Sequence, residues 1–236
     1  MKLFTNGIHA ADLKTPLSHT EENYLKAIFK LSELNSSNVS TNAIAEKLST
    51  TAASVTDMLK KLASKKLLHY EKYYGVTLTE KGKKNAKDLI RKHRLWETFL
   101  VDKLRFSWDE VDELAEQLEH IRSEILTDRI DQFLGYPKFD PHGDPIPDKH
   151  GNIAYHEDVT LESMKKGESG IIVGVIDHST EFLRYLDKVD LVIHTRIHIS
   201  EDEEYDQSKT ILVNHKHETV ISQKVAANLL VRKTGN

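Results

Sequence analysis

Apolar residues recur along the chain with two periods, and the change from one to the other marks out its elements. Tyr24, Leu25, Ile28, Phe29 and Leu31 follow Ser18 and Glu21, which fit the S-x-x-E capping box, so the spacing predicts a first helix that ends near "NSSN" at 35–38. A short second helix opens at Ser40 or Thr41 and turns Ile44, Ala45 and Leu48 to one side. Val55, Met58, Leu59 and Leu62 stand at i, i+3, i+4 and i+7, the stripe of a third helix. "LLHYEKYYGVTLTEKG" then alternates on either side of Tyr74-Gly75, the pattern of a β-hairpin. A fourth helix is expected from Thr79-Glu80 towards Leu104, burying Leu89, Ile90, Leu95, Phe99 and Leu100. A second S-x-x-E box, "SWDE" at 107–110, opens a fifth, expected to run to about Leu134 before Gly135 and Pro137 stop it. Its stripe is Val111, Leu114, Leu118, Ile121, Ile125 and Ile130.

The pattern then lapses. "PKFDPHGDPIPDKHGNIAYHED" at 137–158 gathers prolines and glycines and reads as a linker, with His142, His150 and His156 solvated. Period-two runs return in "GESGIIVGVI", "VDLVIHTRIHIS" and the hairpin-like "KTILVNHKHETVIS", with a helical "TEFLRYLDK" after the first. His194, Arg196 and His198 share one strand face, read as the solvent face of an antiparallel sheet, as are His215 and His217. The expected fold is therefore mainly α with a smaller β part. It comprises an arm at 1–16, a winged helix-turn-helix at 17–78, a helical domain at 79–136, the linker at 137–158 and a small β-barrel at 159–236. Helix, short helix, helix and hairpin in that order are the winged helix-turn-helix, whose third helix enters a major groove. The apolar surface of helices four and five exceeds what so small a domain covers, so a homodimer is expected.

Charge sharpens this picture. The chain has a net charge of −4, but residues 17–92 carry +6 and residues 93–236 carry −11. A polyanion is therefore expected at the front. There is no cysteine, which excludes disulfides and thiolate sites and fits a reducing cytoplasm. No apolar run is long enough to span a membrane and no signal peptide opens the sequence, so a cytoplasmic protein without a membrane partner is expected. H-E-x-x-H, a nucleophile elbow, a Walker loop and GxGxxG are all missing, which argues against an enzyme.

Two helix faces carry candidate chemistry. Glu116, Glu119 and His120 lie at i, i+3 and i+4 and span about 100° of a helix, so their heads can converge on one ion. His93 and Glu97, at i and i+4, are neighbours on the preceding helix. Solvated faces would show the same spacing, and the residues alone leave both readings open. An oxygen and imidazole set suits Mn²⁺ or Fe²⁺ and tolerates Zn²⁺. The rival functions are a winged-helix regulator sensing a small organic ligand, a metalloenzyme using the same facet, and a protein adaptor built on a winged helix.

The winged helix, "TEENYLKAI" at 20–28, "RKHRLWE" at 91–97, "AEQLEH" at 115–120 and "DPHGDPIP" at 140–147 together resemble the metal-dependent repressors of the diphtheria-toxin-repressor and manganese-transport-regulator (DtxR/MntR) family. The last domain resembles the FeoA-like C-terminal domain of its longer members. The resemblance implies a homodimeric repressor that binds double-stranded operator DNA with Mn²⁺ or Fe²⁺ as co-repressor, and no small organic substrate. It implies a primary site of Asn23, Glu116, Glu119 and His120 that bridges the DNA-binding and dimerisation domains. Asn23 stands where members have aspartate or methionine, and Glu116 where iron-type members have cysteine, which tilts the choice to manganese. Lys26 stands where manganese-type members can carry a carboxylate for a second, close metal. An ancillary site would use His93, Glu97 and Asp112, the last at a position often histidine, closed by His178 and Glu181 of the barrel. For DNA the matching residues are Thr51, Ser54 and Thr56, supported by Lys60 and Lys61, with Lys72 and Tyr73 of the hairpin on phosphate. Asp57 lies near a base-reading position that often carries glutamine.

Overall fold

A computed structural model describes residues 16–34, 38–72, 74–154 and 157–235. Residues 1–15 of the arm expected at 1–16, part of "NSSN", Tyr73 and His156 lie outside the described residues. Two compact units divide the chain between Ala86 and Lys87.

The first unit holds α1 (His19–Leu34), α2 (Thr41–Lys47), α3 (Ala52–Ser64) and the hairpin β1 (Leu68–Glu71) and β2 (Gly75–Leu78). The capping box forms as the sequence predicts. Ser18 N–H donates to Glu21 Oε2 at 2.8 Å and Glu21 N–H to Ser18 Oγ at 3.3 Å. Ser40 and Thr51 cap α2 and α3 by accepting from the N–H groups of Ala43 and Ser54. Leu25, Ile28, Ile44, Val55, Leu59, Leu62 and Leu67 make the core, and Val39 adds a bridge to Val76 beside the hairpin. Gly82 allows a close approach, because a Cβ there would lie 1.9 Å from the Leu67 carbonyl oxygen.

The α4 helix (Glu80–Leu104) contains the division, and its later turns belong to the second unit with α5 (Val111–Leu118) and α6 (Glu124–Phe133). The single fifth helix expected from the periodicity is broken. Ser123 intervenes as an N-cap, its side chain accepting from Leu126 N–H, so the chain turns after His120 and starts again. Leu95, Ile130 and Ile146 form a small core edged by Trp96, Phe99 and Leu134. Ile121 is 37% exposed and Ile125 77%, so the stripe of the expected fifth helix keeps apolar surface open in the single chain, and Phe133 beside it is also exposed.

Residues 139–147 correct the linker reading. They form a folded turn with a Phe139–Pro145 bridge, in which Asp140, His142 and Ile146 are buried. His142 has no exposed surface, whereas His150 is exposed as expected.

The β part follows: β3 (Val159–Thr160), a 3-10 turn (Leu161–Ser163), β4 (Ser169–Val175), α7 (Thr180–Lys188), β5 (Arg196–Asp202), β6 (Lys209–Val213), β7 (His217–Ile221), α8 (Gln223–Ala227) and β8 (Leu229–Thr234). One antiparallel six-stranded sheet has the order β3-β8-β4-β5-β6-β7, so the sheet stays open rather than closing on itself. Ile172, Leu183, Leu186, Ile197, Ile199, Ile211 and Val231 fill its core. His194 has φ of +72° and precedes β5, so only Arg196 and His198 share the strand face. No helix of the described residues is long and apolar enough to cross a membrane.

Candidate metal centre and nucleic-acid interface

The second half of α4 gathers the chemistry. His93 and Glu97, one turn apart, are both buried, where charged groups persist only with partners. His93 Nε2 lies 3.2 Å from Glu97 Oε1 and 3.3 Å from Asp112 Oδ1 of α5. Its Nδ1 lies 2.8 Å from Glu119 Oε2, yet that contact lacks hydrogen-bond alignment. Among the described residues, three groups bring ligand atoms within 4.8 Å of one another: His93, Glu116 and Glu119; His93, Glu97 and Asp112; and Glu97, Asp140 and His142.

The first two groups share His93. A neutral imidazole offers one lone pair, so His93 can serve an ion through one nitrogen at a time. The structure thus brings Glu116 and Glu119 together with His93, while His120 Nε2 stands 3.8 Å from Glu119 Oε1. His93, Glu97 and Asp112 meet as the sequence suggested. His178 and Glu181 do not join a group of three. His178 Nε2 is 3.3 Å from the Val175 carbonyl oxygen, and Glu181 is exposed in the first turn of α7.

The third group is the one the spacing missed. Asp140 Oδ1 accepts the backbone N–H groups of His142 (2.9 Å) and Asp144 (3.0 Å), which pins the turn. Arg94 holds the turn from α4, with Nη2 2.7 Å from Asp144 Oδ2 and Nη1 donating to the Pro145 carbonyl at 2.5 Å. His142 Nε2 lies 2.8 Å from the Trp108 carbonyl oxygen, and its Nδ1 faces Glu97 Oε1 at 3.4 Å. The signal was present in "DPHGDPIP", a segment of proline and glycine with two ligand types two residues apart, but composition alone gave a linker.

Burial works against charge on His142, but Glu97 and Asp140 outweigh it and raise its pKa to about 9. His93 is likewise held well above its ordinary value against the pull of burial, chiefly by Glu97. Glu97 is kept well below the carboxylate range by His93 and His142, against its own burial. Asp140 is pushed well above that range by burial, with Glu97 and Asp144 adding to the effect. His93 and His142 on one side and Glu97 on the other thus favour each other's charged forms, while Asp140 is pushed towards its neutral form. Among the described residues, four buried ligand-type atoms nevertheless have no hydrogen bond: Nδ1 of His93, Oε1 of Glu97, Nδ1 of His142 and, in the first unit, Oδ1 of Asn23. Buried polar atoms are ordinarily satisfied, so converging atoms left without hydrogen bonds fit a divalent cation.

The first unit presents the other candidate surface. Thr51 and Ser54 at the start of α3 are exposed, with hydroxyls 2.9 Å apart, and Thr56 Oγ1 donates to the Ala52 carbonyl at 2.9 Å. Lys60 pairs with Asp57 at 3.4 Å, an exposed and weak contact. Lys61 lies 3.2 Å from buried Glu21, as does Lys65 at 2.6 Å, so Lys61 also ties α3 to α1. Lys72 is exposed at the hairpin turn.

These features define a winged-helix regulator with buried groups able to hold metal. Comparison with known proteins agrees. Family models match three segments: the iron-dependent repressor N-terminal DNA-binding domain over residues 16–76, the iron-dependent repressor metal-binding and dimerisation domain over 79–148, and the FeoA domain over 159–233. An uncharacterised HTH-type transcriptional regulator of Methanocaldococcus jannaschii is 35% identical over 118 residues, covering 50% of this chain and 94% of that protein. The iron-dependent repressor IdeR of Mycobacterium tuberculosis is 35% identical over 131 residues, and the match spans 56% of each chain. A solved manganese-dependent transcriptional repressor in complex with manganese matches with a TM-score of 0.82 at 31% identity, over 91% of this chain and 100% of the other. The chain belongs to the DtxR/MntR family of metal-dependent transcriptional repressors.

Proposed function

We propose that this chain represses transcription by binding operator DNA as a homodimer whose DNA affinity is raised by Mn²⁺ or Fe²⁺. The observation that carries the reading is the convergence of carboxylates and imidazoles around buried His93, Glu97 and His142, where Nδ1 of His93, Oε1 of Glu97 and Nδ1 of His142 lack hydrogen bonds. A bound divalent cation supplies positive charge that deprotonated imidazoles no longer provide, and it ties together the elements that carry its ligands. Glu97 from α4 and Asp140 and His142 from the folded turn would hold one ion, and Glu116 and Glu119 with an imidazole another. Ligands of oxygen and nitrogen without sulfur favour manganese or iron, and Zn²⁺ is tolerated in vitro. The solved repressor ScaR is described with bound Zn²⁺ and with bound Cd²⁺.

The coupling to DNA belongs to the same proposal. The residues that match the family's primary site are Asn23, Glu116, Glu119 and His120. Thr51, Ser54, Thr56, Lys60 and Lys61, with Lys72 and Tyr73, would meet DNA. The homodimer is supported by the apolar groove of about 800 Å³ lined by Trp96, Phe99, Leu126, Ile130 and Phe133. The test is a mobility-shift titration on an operator selected in vitro, with Mn²⁺ and with chelator. Retardation should require the metal, and equal retardation in both would overturn the proposal.

A further inference from the structure

We propose that Trp108 is a positioning residue for the Glu97, Asp140 and His142 group, linking its metal affinity to the seating of the β part on the helices. The inference rests on the reading that this group takes a metal ion.

The His142 ring has two nitrogens with different neighbours. Nε2 meets the Trp108 carbonyl oxygen at 2.8 Å. A carbonyl only accepts, so Nε2 keeps its proton, and Nδ1, facing Glu97, is the nitrogen that can bind an ion. The orientation of the ring thus depends on where the Trp108 carbonyl sits. That carbonyl belongs to the tight turn between α4 and α5, closed by Glu110 N–H donating to the Ser107 carbonyl at 3.1 Å.

The same residue reaches the β part through its side chain. The indole N–H is shared between both carboxylate oxygens of Asp187 on α7, each at 3.1 Å, and the ring packs against the β core. Next to it, Asp109 Oδ2 accepts from Arg184 Nε at 2.7 Å. Besides Asp140, which accepts its backbone N–H, further restraints on His142 come from that side. Its carbonyl oxygen accepts from Val175 N–H at 3.0 Å, and its ring stacks on His178 with centroids 4.8 Å apart. Gly143 lies so close to β4 that a Cβ there would stand 2.0 Å from the Val173 carbonyl oxygen. Seating of the β part and presentation of Nδ1 are therefore one arrangement. Partners that orient a ligand in this way commonly alter metal affinity by about 10- to 100-fold.

Co²⁺ titration of the full chain, followed by its d–d absorption, tests this without reference to DNA. The band that His142→Ala removes reports the group. Asp187→Ala should weaken Co²⁺ at that band by about 10-fold and alter its shape, while the remaining sites keep their affinity. Asp187→Glu should restore most of the loss. Trp108→Phe, which keeps the carbonyl and an apolar ring but deletes the N–H, should behave like Asp187→Ala. In a Trp96→Phe background, where Trp108 is the sole tryptophan, Zn²⁺ should shift its emission with the affinity of the same group. Melting of the metal-free variants shows whether each remains folded, and Trp108→Phe decides alone if Asp187→Ala does not. An unchanged band and affinity in Asp187→Ala and Trp108→Phe, with His142→Ala still abolishing the band, would overturn the inference alone. A spectrum insensitive to His142→Ala would overturn the reading of the group as a metal site, and this inference with it.

Discussion

Metal binding at the folded turn should release protons, and the number follows from the metal-free structure. Glu97 and Asp140 overcome the opposing effect of burial and hold the His142 pKa up to about 9. At pH 7.5 the ring is charged, and the nitrogen facing Glu97 carries a proton that a cation must displace. The His142 proton alone makes apparent affinity fall about tenfold, or about 1.4 kcal/mol, for each unit of pH below 9, and any proton held by Asp140, pushed above the carboxylate range, steepens the fall. The change from pH 8.5 to 6.5 is then about a hundredfold from His142 alone. The sign reverses for the metal-free fold. Its His142 pKa is raised above the ordinary 6.5, so the stabilisation is fully present below 6.5 and lost as pH rises through about 9. The two values set that stabilisation on the order of 3 kcal/mol. Calorimetry with Zn²⁺ at pH 7.5, in buffers of different ionisation enthalpy, counts the protons. At least one should leave per ion at this group, and His142→Ala should lower the count by one. Affinity flat between pH 6.5 and 8.5, with no buffer dependence of the enthalpy, would refute the reasoning.

Other parts of the structure make separate predictions. Glu21→Ala removes the capping-box carboxylate and the partner of Lys61 and Lys65, and should lower the melting stability of the DNA-binding unit by about 1 kcal/mol or more. Burial opposes the ionised Glu21, but Lys65, Ser18 and Lys61 hold its pKa at about 2, so its contribution is present above the ordinary 4.5 and disappears as pH falls through about 2. Gly143→Ala, at φ of +89° and against the Val173 carbonyl, should cost about 2 kcal/mol or more in thermal unfolding. Lys60→Ala should reduce the slope of log affinity for operator against log salt by about one, measured by anisotropy. Ile125→Glu with Phe133→Glu should convert a dimer to monomers in sedimentation.

Much of this architecture could be read from local pattern. Ser18 and Glu21 cap α1, Thr51 caps α3, and "TEFLRYLDK" is α7 residue for residue, because caps and periodicity act within a few positions. The break between α5 and α6 escaped, since Ile121 and Ile125 continue the apolar phase while Ser123 interrupts the backbone. The site was half legible. His93 with Glu97, and Glu116 with Glu119, are helical neighbours, and their spacing shows it. Asp140 and His142 reach Glu97 across more than forty positions, held by Arg94 and the Trp108 carbonyl. No periodicity encodes that meeting. The sharing of His93 between two groups is equally non-local, since it depends on where α5 lies against α4.

The most direct test of metal-activated DNA binding is the Mn²⁺ affinity of the full chain with and without saturating operator. Coupling is reciprocal, so operator should tighten Mn²⁺ by the same factor by which Mn²⁺ tightens operator, about 5- to 150-fold for a typical linkage. Identical Mn²⁺ affinity in the presence and absence of operator would contradict the account.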